Sequence, residues 1–296
     1  MLKIIRKDKF NTPAGRVFDV FNIVILAIFG FVTLLPFLYV IAGSFATELE
    51  LTSRSFFIIP HTFTTEAYSY IFETGNILRS LFTTIGVTIV GTIVHLIFTF
   101  SMAYPLSRKG LRGRSFLLKC ITVTLVFGGG MIPTYLVVKE LNLLDSYWAL
   151  ILPVAINPFN LIIIKNNFQQ FPEELIEAAK IDGCSDLRTF LSVVLPLSMP
   201  TVATFTLFYA VGIWNDFFNA FLYINDNTKW TLQIFLRQII LMSDVAANGQ
   251  AVDAIVIPTE SVKLATIAIA TVPILCVYPF LQKYFAKGMM IGSVKG

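Results

Sequence analysis

A short polar segment near residues 171 to 200 interrupts an otherwise apolar chain and holds the residues best suited to contact another protein. Ala178 and Ala179 are adjacent small residues that let a partner's backbone approach closely, and Glu177 offers a charge to a basic partner. This combination suits insertion into a cleft, so the segment predicts a docking surface. Its central residues are Glu177, Ala178, Ala179, Asp182 and Gly183.

A second group of polar residues lies inside the apolar run from about 200 to 224. Tyr209, Gly212, Asp216, Asn219 and Tyr223 recur every three or four residues, which predicts one polar helix face. A carboxylate there costs about 2.5 to 3.5 kcal/mol toward lipid, so it should face a bundle interior, a wet cavity or the interface.

Two asparagines near Pro153 and Pro158 form a further polar spot. We expect the polar positions of both runs to line a path for a polar solute. The alternative is hydrogen bonding between helices. The candidate path residues are Asn157, Asn160, Tyr209, Asn215, Asp216 and Asn219.

Catalytic signals are missing from the sequence. It contains no phosphate-binding loop, no zinc-protease motif and no set of nucleophile, base and orienting residue. The cysteines, Cys120, Cys184 and Cys276, have no metal-ligand spacing, so free thiols are expected. His95, inside an apolar run, is expected to satisfy a helix contact, with a functional role as the alternative. We therefore expect no catalytic residue, no metal and no cofactor on this chain.

The elements that position these groups follow from composition. Hydrophobic residues make up 56% of the 296 residues and charged residues only 14%, against about a quarter in a soluble domain. Crossing a membrane takes about 20 apolar residues. The sequence therefore predicts an all-α polytopic membrane protein, a single domain over residues 1–296 with six transmembrane helices. The six runs are near 20–45, 80–106, 116–138, 147–166, 200–224 and 263–286.

The placement of charge predicts the orientation. Most of the 22 basic residues precede the first run, separate the second from the third, flank the polar segment or close the chain. By the positive-inside rule, both termini and the polar segment should be cytoplasmic, in a bacterial-type plasma membrane. Topology thus explains the basic residues without a nucleic-acid partner. The long outer segments near 46–79 and 225–262 are expected either to anchor at the membrane surface or to receive an extracytoplasmic partner.

The polar segment carries its own helix signals, within a loop at about 168–200. Pro172 suits the first turn of a helix, and Gly183 suits a left-handed stop. Ser185 or Asp186 can cap a second helix, which Pro196 would end or kink. The expected product is a helix-turn-helix elbow parallel to the membrane.

The elbow residues resemble the "EAA" loop of ABC-importer permeases. The resemblance rests on Glu177-Ala178-Ala179, Asp182-Gly183, Phe190, Leu195-Pro196 and Pro200. It implies a type I importer permease whose loop forms a coupling helix, seated in a cleft of the ATP-binding subunit. The implied partners are a homologous second permease, two ATP-binding subunits that hold ATP and magnesium, and an extracytoplasmic sugar-binding protein.

Other motifs resemble the smaller membrane subunit of maltose-type importers, including Ala103-Tyr104 with Arg108, Trp214-Asn215-Asp216-Phe217 and the ending Lys287 to Gly296. The family's tail reaches between the ATPase subunits. Arg79-Ser80 departs from the family's usual Asn-Ser, and the segment around Met242 to Glu260 is longer. Together with the ending, the longer segment resembles a subgroup associated with complex oligosaccharides and polysaccharide fragments. Oligosaccharide import is the implied function.

Two other functions compete with this one. An ion-gradient-driven secondary transporter would use Asp216 as its ion or proton site. No inverted repeat is evident to support it. A non-transporting membrane scaffold that holds an ATPase is the third possibility, and the polar face near Asp216 argues against it.

Overall fold

The computed structural model describes residues 13–73, 75–247 and 259–292, and every regular element within these ranges is helical. This confirms the predicted all-α class. The helices of the first half are α1 (Pro13–Ser44), α2 (Glu48–Ser53), α3 (Glu66–Glu73), α4 (Asn76–Ser107), α5 (Arg114–Val126), α6 (Met131–Glu140) and α7 (Trp148–Ile151). Those of the second half are α8 (Pro158–Phe168), α9 (Glu173–Ile181), α10 (Asp186–Thr189), a π-helix (Phe190–Val194), α11 (Leu195–Leu197), α12 (Met199–Trp214), α13 (Phe218–Tyr223), a 3₁₀-helix (Asn227–Lys229), α14 (Leu232–Ala247) and α15 (Glu260–Gly292).

Helix α1 shows most directly that the chain belongs in a membrane. Its apolar side chains from Val17 to Phe37 are exposed all round the helix, which water would not tolerate over this length. The segments Val17–Ser44 and Asn76–Ser107 are each long and apolar enough to cross a membrane, and two bent helix pairs raise the candidate spans of the described residues to four.

All six predicted runs coincide with helices, but three of them are not single helices. The third run breaks at Phe127–Gly130, where α5 and α6 meet at 115°. Gly130 at the break has a φ of +83°, which favours glycine. The fourth breaks between α7 and α8, where Asn157 accepts hydrogen bonds from the amides of Phe159 and Asn160.

The fifth run ends its first helix at Trp214 and restarts at Phe218, so the polar face expected from Tyr209 to Tyr223 is not the face of one helix. That expectation was wrong because residues 215–217 interrupt the helix. Residues on the two sides of such a break no longer share one face at the 3.6-residue period of a helix. The Asp216 carboxylate accepts a hydrogen bond from the Asn219 amide at 3.1 Å and starts the new helix instead.

Helix α4 lies at the centre of the bundle, in contact with α8 and α12, while α15 packs against α1 and α12. Close approach needs a small residue where α4 meets α12. A Cβ added at Gly91 would lie only 2.9 Å from Ile213 Cδ1. Small residues at helix contacts are typical of membrane bundles, where backbones pack without a hydrophobic driving force.

One end of the bundle, which we call the loop end, comprises residues 45–73, 75, 141–147, 224–231 and 259–261. Acidic side chains of the loop end accept hydrogen bonds from backbone amides of other segments. Glu48 accepts hydrogen bonds from the amides of Glu260 and Ser261, both at 3.2 Å, and so caps α15. The buried Glu50 accepts from the His61 amide at 3.0 Å and pairs with Arg54.

A third carboxylate of the loop end bridges two distant turns. Asp145 Oδ1 accepts from the amides of Asn225 at 2.6 Å and Asp226 at 2.9 Å, and the Lys229 ammonium donates to the Asp145 carbonyl. Hydrogen bonds from the Asp226 and Asn225 amides hold the pKa of the Asp145 carboxyl below its usual value. These three carboxylates of the loop end are thus bonded within the chain.

Candidate docking site

The elbow, residues 173–197, lies at the other end of the bundle and begins with α9. Asp182 ends this helix, and Gly183 follows with a φ of +79°. The Gly183 amide donates to the Lys180 carbonyl at 3.0 Å and the Cys184 amide to the Ala179 carbonyl at 2.9 Å. This is a Schellman stop, which confirms the left-handed glycine predicted from sequence. Pro172 precedes the helix rather than occupying its first turn.

The second half of the elbow starts as predicted at Ser185, whose hydroxyl accepts from the Arg188 amide at 3.3 Å. Helix α10 then widens into the π-helix Phe190–Val194 before α11. The segment Asp186–Leu197 meets α12 at 83°, beside Pro196 and Pro200. The chain therefore turns sharply from the elbow into the bundle.

The two alanines of α9 face opposite ways. Ala179 and Ile176 are buried on the inner side, and α9 contacts the π-helix. Glu177, Ala178 and Asp182 are exposed. The small size of Ala179 therefore serves packing within the chain, whereas Ala178 presents a small side chain outward.

Two apolar side chains on the elbow were missed by the sequence analysis. Ile181 is 87% exposed and Leu187 is 67% exposed, although each flanks a helix end in a polar segment. The sequence did contain a signal for them, because both are aliphatic residues in a segment that was expected to be exposed to water. Exposed apolar groups rimmed by polar residues are typical of an interaction surface.

Phe190 anchors the elbow to the bundle. Its ring lies 4.9 Å from that of Tyr104 in α4 and 6.3 Å from that of Phe168 in α8, measured between centroids. Such aromatic contacts add about 0.5 to 1.5 kcal/mol beyond buried area. A displacement of the elbow would therefore be transmitted to two central helices.

Charge at the elbow is partly paired. The Lys109 ammonium lies 2.8 Å from Glu173, and Lys180 lies 3.3 Å from Asp186. The hydrogen bond and charge of Lys109 hold the pKa of the Glu173 carboxyl below its usual value. Glu177 makes no ion pair with any residue that the structure describes.

An open groove of 740 Å³ runs between the end of α4 and the elbow, lined by residues of α4, α9 and α10. The half-buried Arg108 lines it, with its guanidinium carbon 4.6 Å from the centroid of the Tyr104 ring. Its Nε and Nη2 are buried and have no hydrogen-bond partner.

The candidate path residues are not brought together into one site. Asp216 pairs with Asn219, whose amide nitrogen donates to its Oδ2 at 2.8 Å. Asn157 caps α8 next to Asn160, and the exposed Asn215 donates to the Val211 carbonyl.

Tyr209, also a candidate path residue, is buried in a contact between helices. Its hydroxyl lies 2.7 Å from that of Thr99, and its ring lies edge-on to the ring of His95. His95 Nε2 lies 2.9 Å from the Ile151 carbonyl, in keeping with the expected helix contact. Among the described residues no three metal-binding side chains cluster.

Comparisons with known proteins are consistent across sequence and structure. The family described as "Binding-protein-dependent transport system inner membrane component" matches residues 8–291. Protein LplC of Bacillus subtilis is 64% identical over 287 residues, covering 97% of each chain. The polygalacturonan/rhamnogalacturonan transport system permease protein YtcP of the same organism is 51% identical, covering 95% of this chain and 99% of the other.

A crystal structure shares the fold. It is of a bacterial ABC transporter involved in the import of the acidic polysaccharide alginate. Its matching chain is 32% identical, with a TM-score of 0.85, and the match covers 94% of this chain and all of that one.

Proposed function

The chain belongs to the family of binding-protein-dependent inner membrane components, the permeases of ABC importers, and on that premise we propose that its elbow docks on an ATP-binding subunit. Family membership favours this function over an ion-gradient-driven transporter with Asp216 as the ion site. ATP and magnesium would be held by the partner subunits. A second permease and an extracytoplasmic binding protein would complete the importer.

The observation that carries the proposal is the exposed outer side of the elbow. Ala178 presents a small side chain and Glu177 an unpaired charge, while Ile181 adds apolar area that water does not favour. The Schellman stop at Gly183 holds these groups on a defined backbone. A fixed, exposed surface that combines a small side chain, a charge and apolar area suits a partner's cleft.

The orientation follows from the same surface. ATP-binding subunits are cytoplasmic, so the elbow would face the cytoplasm, as would both termini. The basic residues Arg112 and Lys119 follow the end of α4 that borders the elbow groove, and they support this orientation by the positive-inside rule. The loop end would then face outward, toward the binding protein.

Transmission from the elbow would run through Phe190. Its ring contacts Tyr104 and Phe168, which lie in α4 and α8. Closure of the ATP-binding subunits would move the elbow, and the aromatic contacts would carry this motion into the bundle. The side chains Asn157, Asn160, Tyr209, Asn215, Asp216 and Asn219 remain weaker candidates for the solute path.

We propose oligosaccharides derived from polysaccharides as the cargo. Two similar proteins support this class, one described as a polygalacturonan/rhamnogalacturonan permease and the other as part of an alginate importer. Vesicles containing the assembled importer, its binding protein and internal ATP should take up galacturonate oligomers. Uptake of only neutral malto-oligomers would refute the acidic-polysaccharide source.

The docking proposal is tested by adding bulk at Ala178, which is exposed and so can change without disturbing the core. We expect Ala178→Trp to reduce ATPase activity coupled to transport about tenfold or more, since it blocks the centre of the contact. The matched control is Ser115→Trp, at an exposed position in α5. Equal coupled activity in the two variants would refute docking through this face.

A further inference from the structure

The groove beside the elbow contains a cation that the chain itself leaves without an acceptor. Arg108 Nε and Nη2 are buried and make no hydrogen bond with the residues that the structure describes. Leaving a buried donor unsatisfied is costly, and more so for a charged group. Because Arg108 is half-exposed and lines the open groove, a turn of its side chain toward the groove would bring these donors to an acceptor from outside the chain.

The neighbouring charges do not supply that acceptor. Glu173, whose carboxyl senses the field of Arg108, is bonded to the Lys109 ammonium at 2.8 Å. Asp186, also at the groove, pairs with Lys180 at 3.3 Å. Glu173 and Asp186 are therefore already paired with lysines. Arg108 and Glu177 remain as the charged residues of the groove lining without an ion-pair partner.

The position of the groove identifies its occupant. It is lined by Glu177 and Leu187, which also belong to the exposed side of the elbow. A subunit that docks on the elbow would therefore cover the groove as well. Its surface would need a negative group to reach Arg108 and a positive group to face Glu177.

We propose that Arg108 receives a carboxylate from an acidic side chain of the ATP-binding subunit, as a second anchor beside the elbow. This inference rests on the proposed docking function. The guanidinium offers a fork of donors that matches a carboxylate in two parallel hydrogen bonds. Stacking on Tyr104 at 4.6 Å keeps the guanidinium beside the groove before the partner arrives.

The ion pair between Arg108 and the partner's carboxylate would strengthen docking and fix the position of the ATP-binding subunit on the elbow. Removing one partner of a hydrogen-bonded charge pair at an interface is expensive. We expect Arg108→Met to weaken binding of the ATP-binding subunit by about 30-fold, which corresponds to about 2 kcal/mol. The matched control is Arg112→Met, since Arg112 is an exposed cation of the same loop and should bind unchanged. Equal loss in both variants would refute a specific site.

A carbodiimide test identifies the acceptor directly. In Arg108→Lys the introduced amine can form an amide with an adjacent carboxyl group, whereas the native guanidinium does not. In the complete importer we expect a zero-length cross-link to an Asp or Glu of the ATP-binding subunit, located by mass spectrometry. The native chain is the control, because Lys109 remains reactive in both proteins.

Each outcome decides the proposal. A cross-link from the introduced lysine to Glu173, Glu177 or Asp186 would overturn it, since the acceptor would then lie in the same chain. An assembled complex with no cross-link at this position would also overturn it. If Arg108→Lys does not assemble, unchanged binding by Arg108→Met refutes the proposal and selective loss supports it.

The failure of this inference is distinguishable from failure of the proposed function. If Ala178→Trp impairs coupling while the Arg108 variants behave as the native chain, docking through the elbow stands and only the second anchor is wrong. If Ala178→Trp has no effect, the docking function itself fails.

Discussion

The two ends of the bundle differ in how their partly buried charged groups are paired. At the loop end, Glu48 and Asp145 accept hydrogen bonds from backbone amides that lie far along the chain. At the elbow end, the half-buried Arg108 has two buried nitrogens without an acceptor among the described residues. A buried donor without an acceptor is costly, so this difference supports our proposal that a partner subunit completes the elbow end.

Apolar exposure does not separate the two ends. Ile181 on the elbow is 87% exposed, and at the loop end Leu49 is 79% and Ile59 is 72% exposed, while Phe57 is buried beside Ala42 and Ala46. Exposure at the elbow is not a sign of poor order, because the Schellman stop and the Ser185 cap define its backbone. The charged groups, rather than the apolar ones, therefore distinguish the elbow end.

The largest expected effect comes from detaching the elbow from the bundle. Phe190→Ala removes a buried ring between Tyr104 and Phe168 and should cost about 3 to 5 kcal/mol of stability. Thermal unfolding in detergent measures the loss, and assays of the folded fraction should show subunit binding with reduced coupling. Phe190→Leu is the control and should lose less. Full coupling in Phe190→Ala would show that the ring does not transmit motion.

The next effect concerns the backbone of the elbow. Gly183→Val places a β-branched side chain at a φ of +79°, a strain of about 1 to 3 kcal/mol. No atom lies within 4 Å of the added Cβ, so the cost is conformational rather than steric crowding. We expect reduced binding of the ATP-binding subunit, measured by co-purification. Gly183→Asn, which tolerates this conformation, should retain binding; equal loss in both would contradict the backbone explanation.

A smaller, pH-dependent effect is expected at the loop end. Amide hydrogen bonds lower the pKa of folded Asp145, so its ionised form stabilises the fold above the unfolded pKa of about 3.9. That contribution is lost as pH falls through the lower folded value. Unfolding of Asp145→Asn between pH 3 and 6 should therefore depend less on pH than that of the native chain. Identical pH slopes would show that the bridge contributes little.

The smallest effect is expected for an exposed ion pair at the elbow. Lys109 and Glu173 are both largely exposed, so solvent screens their attraction and Lys109→Met should change the free energy of unfolding very little. The measurement is thermal unfolding at low and high salt. A loss as large as that of Phe190→Ala would mean that surface charge, and not the aromatic contact, holds the elbow.

Local signals made the elbow predictable from sequence. Gly183 and Ser185 act through hydrogen bonds to residues within a few positions, so their types alone indicate the stop and the cap. The inward turn of Ala179 was not predictable, because it depends on what lies behind the helix. The loop-end bridges were also hidden, since Asp145 meets residues 80 positions away.

Helix breaks were the main error in the predicted fold. The average hydropathy of the third and fifth runs is high, and it outweighs the three glycines at 128–130 and the polar pair Asn215-Asp216, where the two helices break. Hydropathy indicates how long an apolar run is, but it does not show whether the backbone forms one straight helix or two helices at an angle. Asp216 consequently looked like part of a polar face, whereas it pairs with Asn219 at the start of a new helix.

The central claim, that the elbow is covered by an ATP-binding subunit, is tested most directly by the accessibility of position 178. In a chain whose native cysteines are replaced, Ala178→Cys should react with a maleimide about tenfold more slowly once that subunit is bound, as expected for a buried interface core. Ser115→Cys in the same background should keep its rate. Unchanged labelling at position 178 in the assembled, active importer would contradict the account.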